Sequence, residues 1–228
     1  MEWLSENYPG EDDVPYRKHF TPRFQSVFVA FNPFIRVPGF SMQNHQGFFG
    51  DGFLEAAWSI GLDGEVRWSE VCELCGFASP KQVNRALRLT GSKRIKLELA
   101  SPSDTKRLEE RCEANTISLP EEGHASPSLC IRISHFLEAL GHSEVWNAMH
   151  FGFHPDLRAV ALFRGSDCGS IACIHTPDSS AHLEFYPDYH YMLVAQTAQS
   201  LARARPSDHF EGFFADENTT DYWGIGPM

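Results

Sequence analysis

Lys81, Arg85 and Arg88 recur at i, i+4 and i+7 in the run SPKQVNRALRLT, so a helix over this stretch carries them on one face. Gln82 and Asn84 flank that stripe, and Lys93, Arg94 and Lys96 follow closely. Guanidinium groups pair with guanine edges and phosphates, carboxamides with adenine edges, and ammonium groups with phosphates. Side chains of these types, so spaced, suit a helix lying in the major groove of duplex DNA.

The surrounding chain makes this island conspicuous. Its 228 residues carry a formal net charge of -11, yet no acidic residue falls between Glu73 and Lys96. The acids crowd the two ends instead: Glu2, Glu6, Glu11, Asp12 and Asp13 at one, and Asp208, Glu211, Asp216, Glu217 and Asp221 at the other. An acidic chain repels nucleic acid and anionic membrane at long range, but ions screen charge beyond roughly 8–10 Å, so a local basic patch retains its effect. Aromatic side chains sit among the terminal acids, and Trp3, Tyr8, Phe213, Phe214, Tyr222 and Trp223 are candidate contacts to a partner protein with a basic surface. The basic run could equally be a counter-charge to the chain's own acids.

Cys72-x-x-Cys75 has the spacing of a metal or redox pair. Zinc would need two further ligands, for which Cys168 and Cys173 are the available pair; small buried thiols at helical positions are the simpler reading, and no metal or cofactor is expected. His150 and His154 share one side of HFGFH if that segment is extended, and with His175, His182 or Asp156 could do acid–base work. No serine-nucleophile elbow, HExxH, Walker motif or EF-hand loop is present, and no reaction class follows.

The elements that must position these residues read as α+β. QSVFVAF and FIRVPGF are extended segments, FLEAAWSIG is a short helix, and WSEVCELCGF is a second helix ending near Gly76. Ser79-Pro80-Lys81-Gln82 opens a third, with Ser79 as cap and Pro80 at the first helical position. KRIKLEL alternates like a half-buried strand, a wing beside the basic helix. Ser101-Pro102 and Ser126-Pro127 open two more helices; LRAVALFRG, GSIACIH and HLEFY read as strands, and YHYMLVAQTAQSLARA as a long helix. The expected organisation is an N-terminal arm with extended segments over 1–52, a helix-turn-helix-like unit with its wing over 53–119, and a C-terminal antiparallel sheet plus long helix over 120–228, ending in an acidic aromatic tail. The first residues lack a secretory signal and no apolar run spans a bilayer, which suggests a cytoplasmic protein.

Residues 66–91, and VCELCGFASPKQVNRALR within them, resemble the helix-turn-helix of AraC-type regulators and, more loosely, that of LacI-type repressors. The likeness rests on Val71 and Leu74 before the turn, Gly76-Phe77 at it, and Val83, Arg85, Leu87 and Arg88 after it; it implies a recognition helix beginning at Pro80. AraC-type domains carry two such motifs, whereas this chain shows one and runs on into SKRIKLEL, so the expectation is a helix-turn-helix-like unit. The function that follows is a DNA-binding regulatory or accessory protein whose C-terminal unit would dimerise or bind partners. Its alternative is an acidic interaction factor (an inhibitor, adaptor or immunity-type protein) that binds a basic partner.

Overall fold

A computed structural model describes residues 14–39, 52–93, 95–148, 155–165 and 171–223. Its centre is a seven-stranded sheet in the order β10-β1-β9-β8-β7-β5-β6, every pairing antiparallel. The strands are β1 (Ser26–Phe31), β5 (Glu144–Ala148), β6 (Asp156–Ala159), β7 (Cys173–His175), β8 (Ala181–Phe185), β9 (Tyr191–Gln196) and β10 (Gly212–Phe214). A smaller sheet joins β2 (Phe34–Arg36) to β3 (Glu65–Val66) and β4 (Ile117–Ser118). The α+β class expected from the sequence is the class observed.

Alternation along the central strands sorts side chains to two cores. Val27, Val29 and Phe31 of β1, with Tyr191, Leu193 and Ala195 of β9, face a layer formed by α1 (Tyr16–Phe20), α3 (Trp68–Cys75), α4 (Pro80–Leu87) and α5 (Pro102–Ala114). Phe28, Ala30, Met192 and Val194 face α6 (Pro127–Ala139) on the other side. A sheet covered on both faces needs near-continuous apolar strands, which explains VFVAF and YMLVA. Helix α2 (Phe53–Ile60) packs on β2 through Phe53 and Ala57, and α7 (Ala198–Arg203) follows β9.

Helix boundaries follow the sequence punctuation. Pro80, Pro102 and Pro127 each stand at the first position of a helix. Ser126 Oγ accepts from the Leu129 N–H, and α3 stops at Gly76, whose φ of 65° is left-handed, a conformation glycine adopts without steric cost. Glu211 caps the opposite end of α3, accepting from the Trp68 and Ser69 N–H groups at 2.7 and 2.9 Å, and so ties the strand β10 region to this helix.

Three elements differ from the expectation. YHYMLVAQTAQSLARA is not one long helix but β9 followed by α7, with Thr197 capping the latter. All six residues of β9 are buried, and a continuous apolar run satisfies a central strand as well as a helix; the gain from two strand neighbours decides. KRIKLEL is not a wing strand: Lys93 is left-handed at φ 58°, Leu97–Leu99 form a three-ten turn, and Leu97 is 90% exposed. Alternation without a neighbouring strand edge has nothing to pair with. Likewise LRAVALFRG is strand only to Ala159 and then a three-ten turn, Val160–Arg164. The segment boundaries expected at 52/53 and 119/120 are crossed by sheet pairing, since β1 lies between β9 and β10, and β2 between β3 and β4.

Gly212 of β10 pairs with Ala30 of β1 in a backbone conformation, φ 159°, that leaves no room for a side chain. A Cβ on Gly212 would sit 1.9 Å from the Val29 carbonyl oxygen. Backbone cannot yield as a side chain does, so Gly212→Ala is expected to destabilise the fold by about 1–3 kcal/mol, read as a lower urea midpoint. An unchanged midpoint would show that β10 does not need this approach.

Candidate interaction groove

Helix α4 divides its residues by burial rather than by charge. Val83, Asn84, Ala86 and Leu87 are buried, and Arg88, the C-cap residue, is only 1% exposed. Arg88 therefore leaves the stripe expected to read DNA, as does Asn84, whose Nδ2 donates to the Trp223 carbonyl at 3.1 Å. Arg88 Nη2 donates to the Asp221 carboxylate (3.1 Å) and carbonyl (2.8 Å) and to Tyr191 Oη (3.3 Å), and the guanidinium lies 4.8 Å from the centre of the Tyr189 ring. Tyr191 Oη is in turn 2.7 Å from Tyr16 Oη. Burial alone opposes the guanidinium's charge, but Tyr191 and Asp221 more than offset it and hold the group protonated.

Arg85 is also engaged within the chain. Its Nη2 meets Asp104 Oδ2 at 2.6 Å, with 30% of the arginine side chain exposed. Burial would raise the Asp104 carboxyl, yet hydrogen bonds from Arg85, Ser101 and Gln82 bring it below the ordinary value. Gln82 Oε1 also accepts from the Ala78 N–H, closing the turn before α4. Lys81, Lys93 and Lys96 are exposed; Lys96 Nζ lies 5.1 Å from the centre of the Tyr222 ring. Arg94, Trp3 and Tyr8 lie outside the described residues.

The structure brings the basic helix and the aromatic tail together. Ser79, Lys81, Gln82 and Arg85 form one wall of a groove of about 560 Å³; Phe213, Phe214, Thr220, Tyr222 and Trp223 form the other. Trp223 is buried against Phe31 and Phe213, at 5.4 and 5.0 Å between ring centres, and shapes the groove from beneath. Phe214 stays 38% exposed, with the Arg205 guanidinium 5.9 Å from its ring centre. Asp216, whose Oδ1 accepts from the Asn218 N–H and the Thr219 hydroxyl, sets the turn that leads the chain back along α4.

The groove also runs along an open strand edge. Successive side chains of a strand point to opposite faces, so a cavity touching both Phe213 and Phe214 must pass around the strand's edge. The Phe31 N–H donates to the Glu211 carbonyl and the Ala215 N–H to the Val27 carbonyl, so residues 211, 213 and 215 turn toward β1. The N–H and C=O of Gly212 and Phe214 then point outward, where β10 has no neighbouring strand among the described residues.

The cysteines and histidines are placed otherwise. Cys72, Cys75 and Cys112 are buried free thiols, and burial raises all three, Cys72 to about 11. Cys168, His150 and His154 lie outside the described residues, and no cluster of potential metal ligands occurs among the described ones. His175 and His182 face each other across β7 and β8, ring centres 5.7 Å apart. His175 Nε2 lies 3.2 Å from Arg23 Nη2 and 3.1 Å from Ser179 Oγ; a guanidinium can only donate, so this nitrogen is the acceptor. Sequence reasoning did not find Asp104, Asp221, Tyr16, Tyr189 or Tyr191 as partners of the basic helix. The available signal was weak: Arg88 follows Leu87 at the helix end, where another segment packs.

Breaking the Arg88–Asp221 pair leaves an uncompensated buried charge, so Asp221→Asn should cost about 3–5 kcal/mol in urea unfolding. Acid should also weaken the fold. Burial is the main cause that lowers His175 from 6.5 to about 4 and His190 from 6.5 to about 3, so both are neutral when folded. The unfolded chain binds these protons first, and the stability present above pH 6.5 is lost as pH falls toward 4. Stability measured from pH 7 to pH 4 should decline, and His175→Gln should flatten the slope; a parallel slope in that variant would remove His175 from the linkage.

No curated protein and no solved structure matches the chain. The chain matches a family of proteins of unknown function, DUF2711, over residues 12–225, and belongs to that family.

Proposed function

We propose that the chain is a protein-interaction factor that accepts an extended segment of a partner along β10, in the groove opposite α4. The observation that carries this reading is that the groove reaches Phe214, whose N–H and C=O point away from β1, as do those of Gly212 further along the same edge. Such an edge offers main-chain hydrogen bonds to an added strand, while Phe214, Tyr222 and the aliphatic stem of Lys81 offer contact to alternate side chains.

The electrostatics favour a basic partner. Arg85 is balanced by Asp104 and Arg88 by Asp221, so two of the basic island's charges act as counter-charges to the chain's own acids. Lys81 and Asp216 both line the groove, and with Arg85 paired to Asp104 the site itself is near neutral. The far field follows the net charge of -11 and steers a cationic protein. The duplex-DNA reading keeps Lys81, Lys93 and Lys96 as exposed cations but loses Asn84 and Arg88, two of the side chains it required on the recognition helix.

A displayed library of random peptides, selected on the full-length chain, tests the proposal. Enriched peptides should bind more weakly by about thirtyfold to Phe214→Ala/Tyr222→Ala, each aromatic contributing about a kcal/mol. They should also slow hydrogen exchange at the Gly212 and Phe214 amides. Peptides indifferent to both substitutions, or no enrichment, would sink the reading. A labelled random-sequence duplex titrated in parallel separates the alternative. Micromolar binding that falls steeply with salt and disappears in Lys81→Glu would transfer the site to nucleic acid.

A further inference from the structure

We infer that the opposite edge of the sheet, β6, docks a second copy of this chain through a two-fold antiparallel strand pair centred on Leu157. This surface is independent of the β10 groove: five strands lie between them in the sheet order. β6 has a neighbour on one side only among the described residues, and Asp156, Leu157 and Ala159 are exposed, Leu157 at 48%.

The register determines what that edge offers. The Val160 N–H donates to the Ser143 carbonyl at 2.8 Å, and Arg158 stands opposite Val145 and Asp156 opposite Asn147. In an antiparallel pair, hydrogen-bonded positions alternate, so Asp156 and Arg158 turn their main chain toward β5. Leu157 and Ala159 turn theirs outward. Rotating a second copy about an axis through Leu157 brings the two Leu157 residues opposite each other, each donating to and accepting from the other. The Ala159 N–H then meets the carbonyl of Pro155 of the partner subunit. Proline has no N–H to return, so this pair carries one hydrogen bond instead of two and the Ala159 carbonyl stays open to solvent at the end of the ladder.

Charge closes on itself in the same register. Asp156 falls opposite Arg158 of the partner subunit, and Arg158 opposite Asp156 of the partner subunit, at the non-hydrogen-bonded positions where cross-strand side chains approach most closely. Shifting the pairing by two residues in either direction loses one or both of these matches. A surface complementary to itself under a two-fold rotation is what an isologous dimer requires. Leu157 supplies the apolar contact at the axis, and Leu162, 46% exposed just beyond the strand, lies near its rim.

Sedimentation velocity over a range of concentrations should show a monomer–dimer equilibrium for the full-length chain. Ala159 has φ -66°, the angle that a proline ring imposes, so Ala159→Pro removes the outward N–H while suiting the local backbone. It should weaken association by about tenfold or more, because each dimer loses two hydrogen bonds. Circular dichroism checks that this variant is folded. Under mild oxidation Leu157→Cys should give a disulfide-linked dimer, whereas Asp156→Cys, which faces position 158, should not. A monomer at all concentrations overturns the inference, as does undiminished association of folded Ala159→Pro. Cross-linking through position 156 in preference to 157 overturns the register, and Leu157→Cys remains decisive if the proline variant does not fold.

Discussion

A guanidinium with 1% of its surface exposed cannot be left to itself, and the placement of Arg88 constrains much of this molecule. Its positive charge needs an anion and oriented oxygens in place of water. Asp221 supplies the first, and Tyr191 and the Asp221 carbonyl the second, with the Tyr189 ring beneath. Those partners come from β9, the loop before it and the end of the described chain, while Tyr16 extends the network to α1. One side chain thus holds the C-terminal segment against α4, and the groove exists because that segment is held there. Asn84 reinforces the attachment one turn earlier by donating to the Trp223 carbonyl.

The central sheet has the complementary constraint. Helices cover both faces, and the strands β1 and β9 spend their side chains on two cores, so those faces offer little to another molecule. The edges differ. Natural sheets protect their edges with charge, proline, brevity or cover. β10 has only three residues and is shadowed by α4 and the returning tail; β6 has four, preceded by Pro155 and carrying Asp156 and Arg158. Each device limits indiscriminate pairing while leaving outward backbone groups for a partner that matches. Both proposed contacts therefore fall where the hydrogen-bond ladders of the central sheet stop.

Local signals in the sequence located most helices correctly because their punctuation is local. Ser126 caps α6, prolines open α4, α5 and α6, and Gly76 ends α3, all within a few residues of the boundary they set. Strand β9 was not legible in the same way: YMLVAQ is buried on both faces, so it has no alternation to distinguish it from a buried helix. The converse holds for KRIKLEL, whose alternation is clear but which has no strand to pair with among the described residues. The groove was half legible. Phe213, Phe214, Tyr222 and Trp223 were found as tail aromatics and Lys81, Gln82 and Arg85 as helix residues, but their meeting depends on Asp221, a contact spanning 133 positions of sequence.

The basic stripe shows why side-chain type and spacing do not by themselves make a reading surface. Lys81, Arg85 and Arg88 do follow helical periodicity, but a recognition helix must also stand clear of its own chain. Here the wall formed by Phe213, Phe214 and Tyr222 runs beside the exposed side of α4. A duplex approaching that side would have to displace a segment fixed through a buried ion pair, and Arg85 would have to leave Asp104 at 2.6 Å. An added strand faces neither cost: it takes the space between α4 and the tail as it stands and bonds to carbonyls and N–H groups that β1 does not use. The ion pairs that engage Arg85 and Arg88 within the chain are thus part of the same arrangement that leaves a groove between α4 and the tail, the groove proposed above for an extended chain.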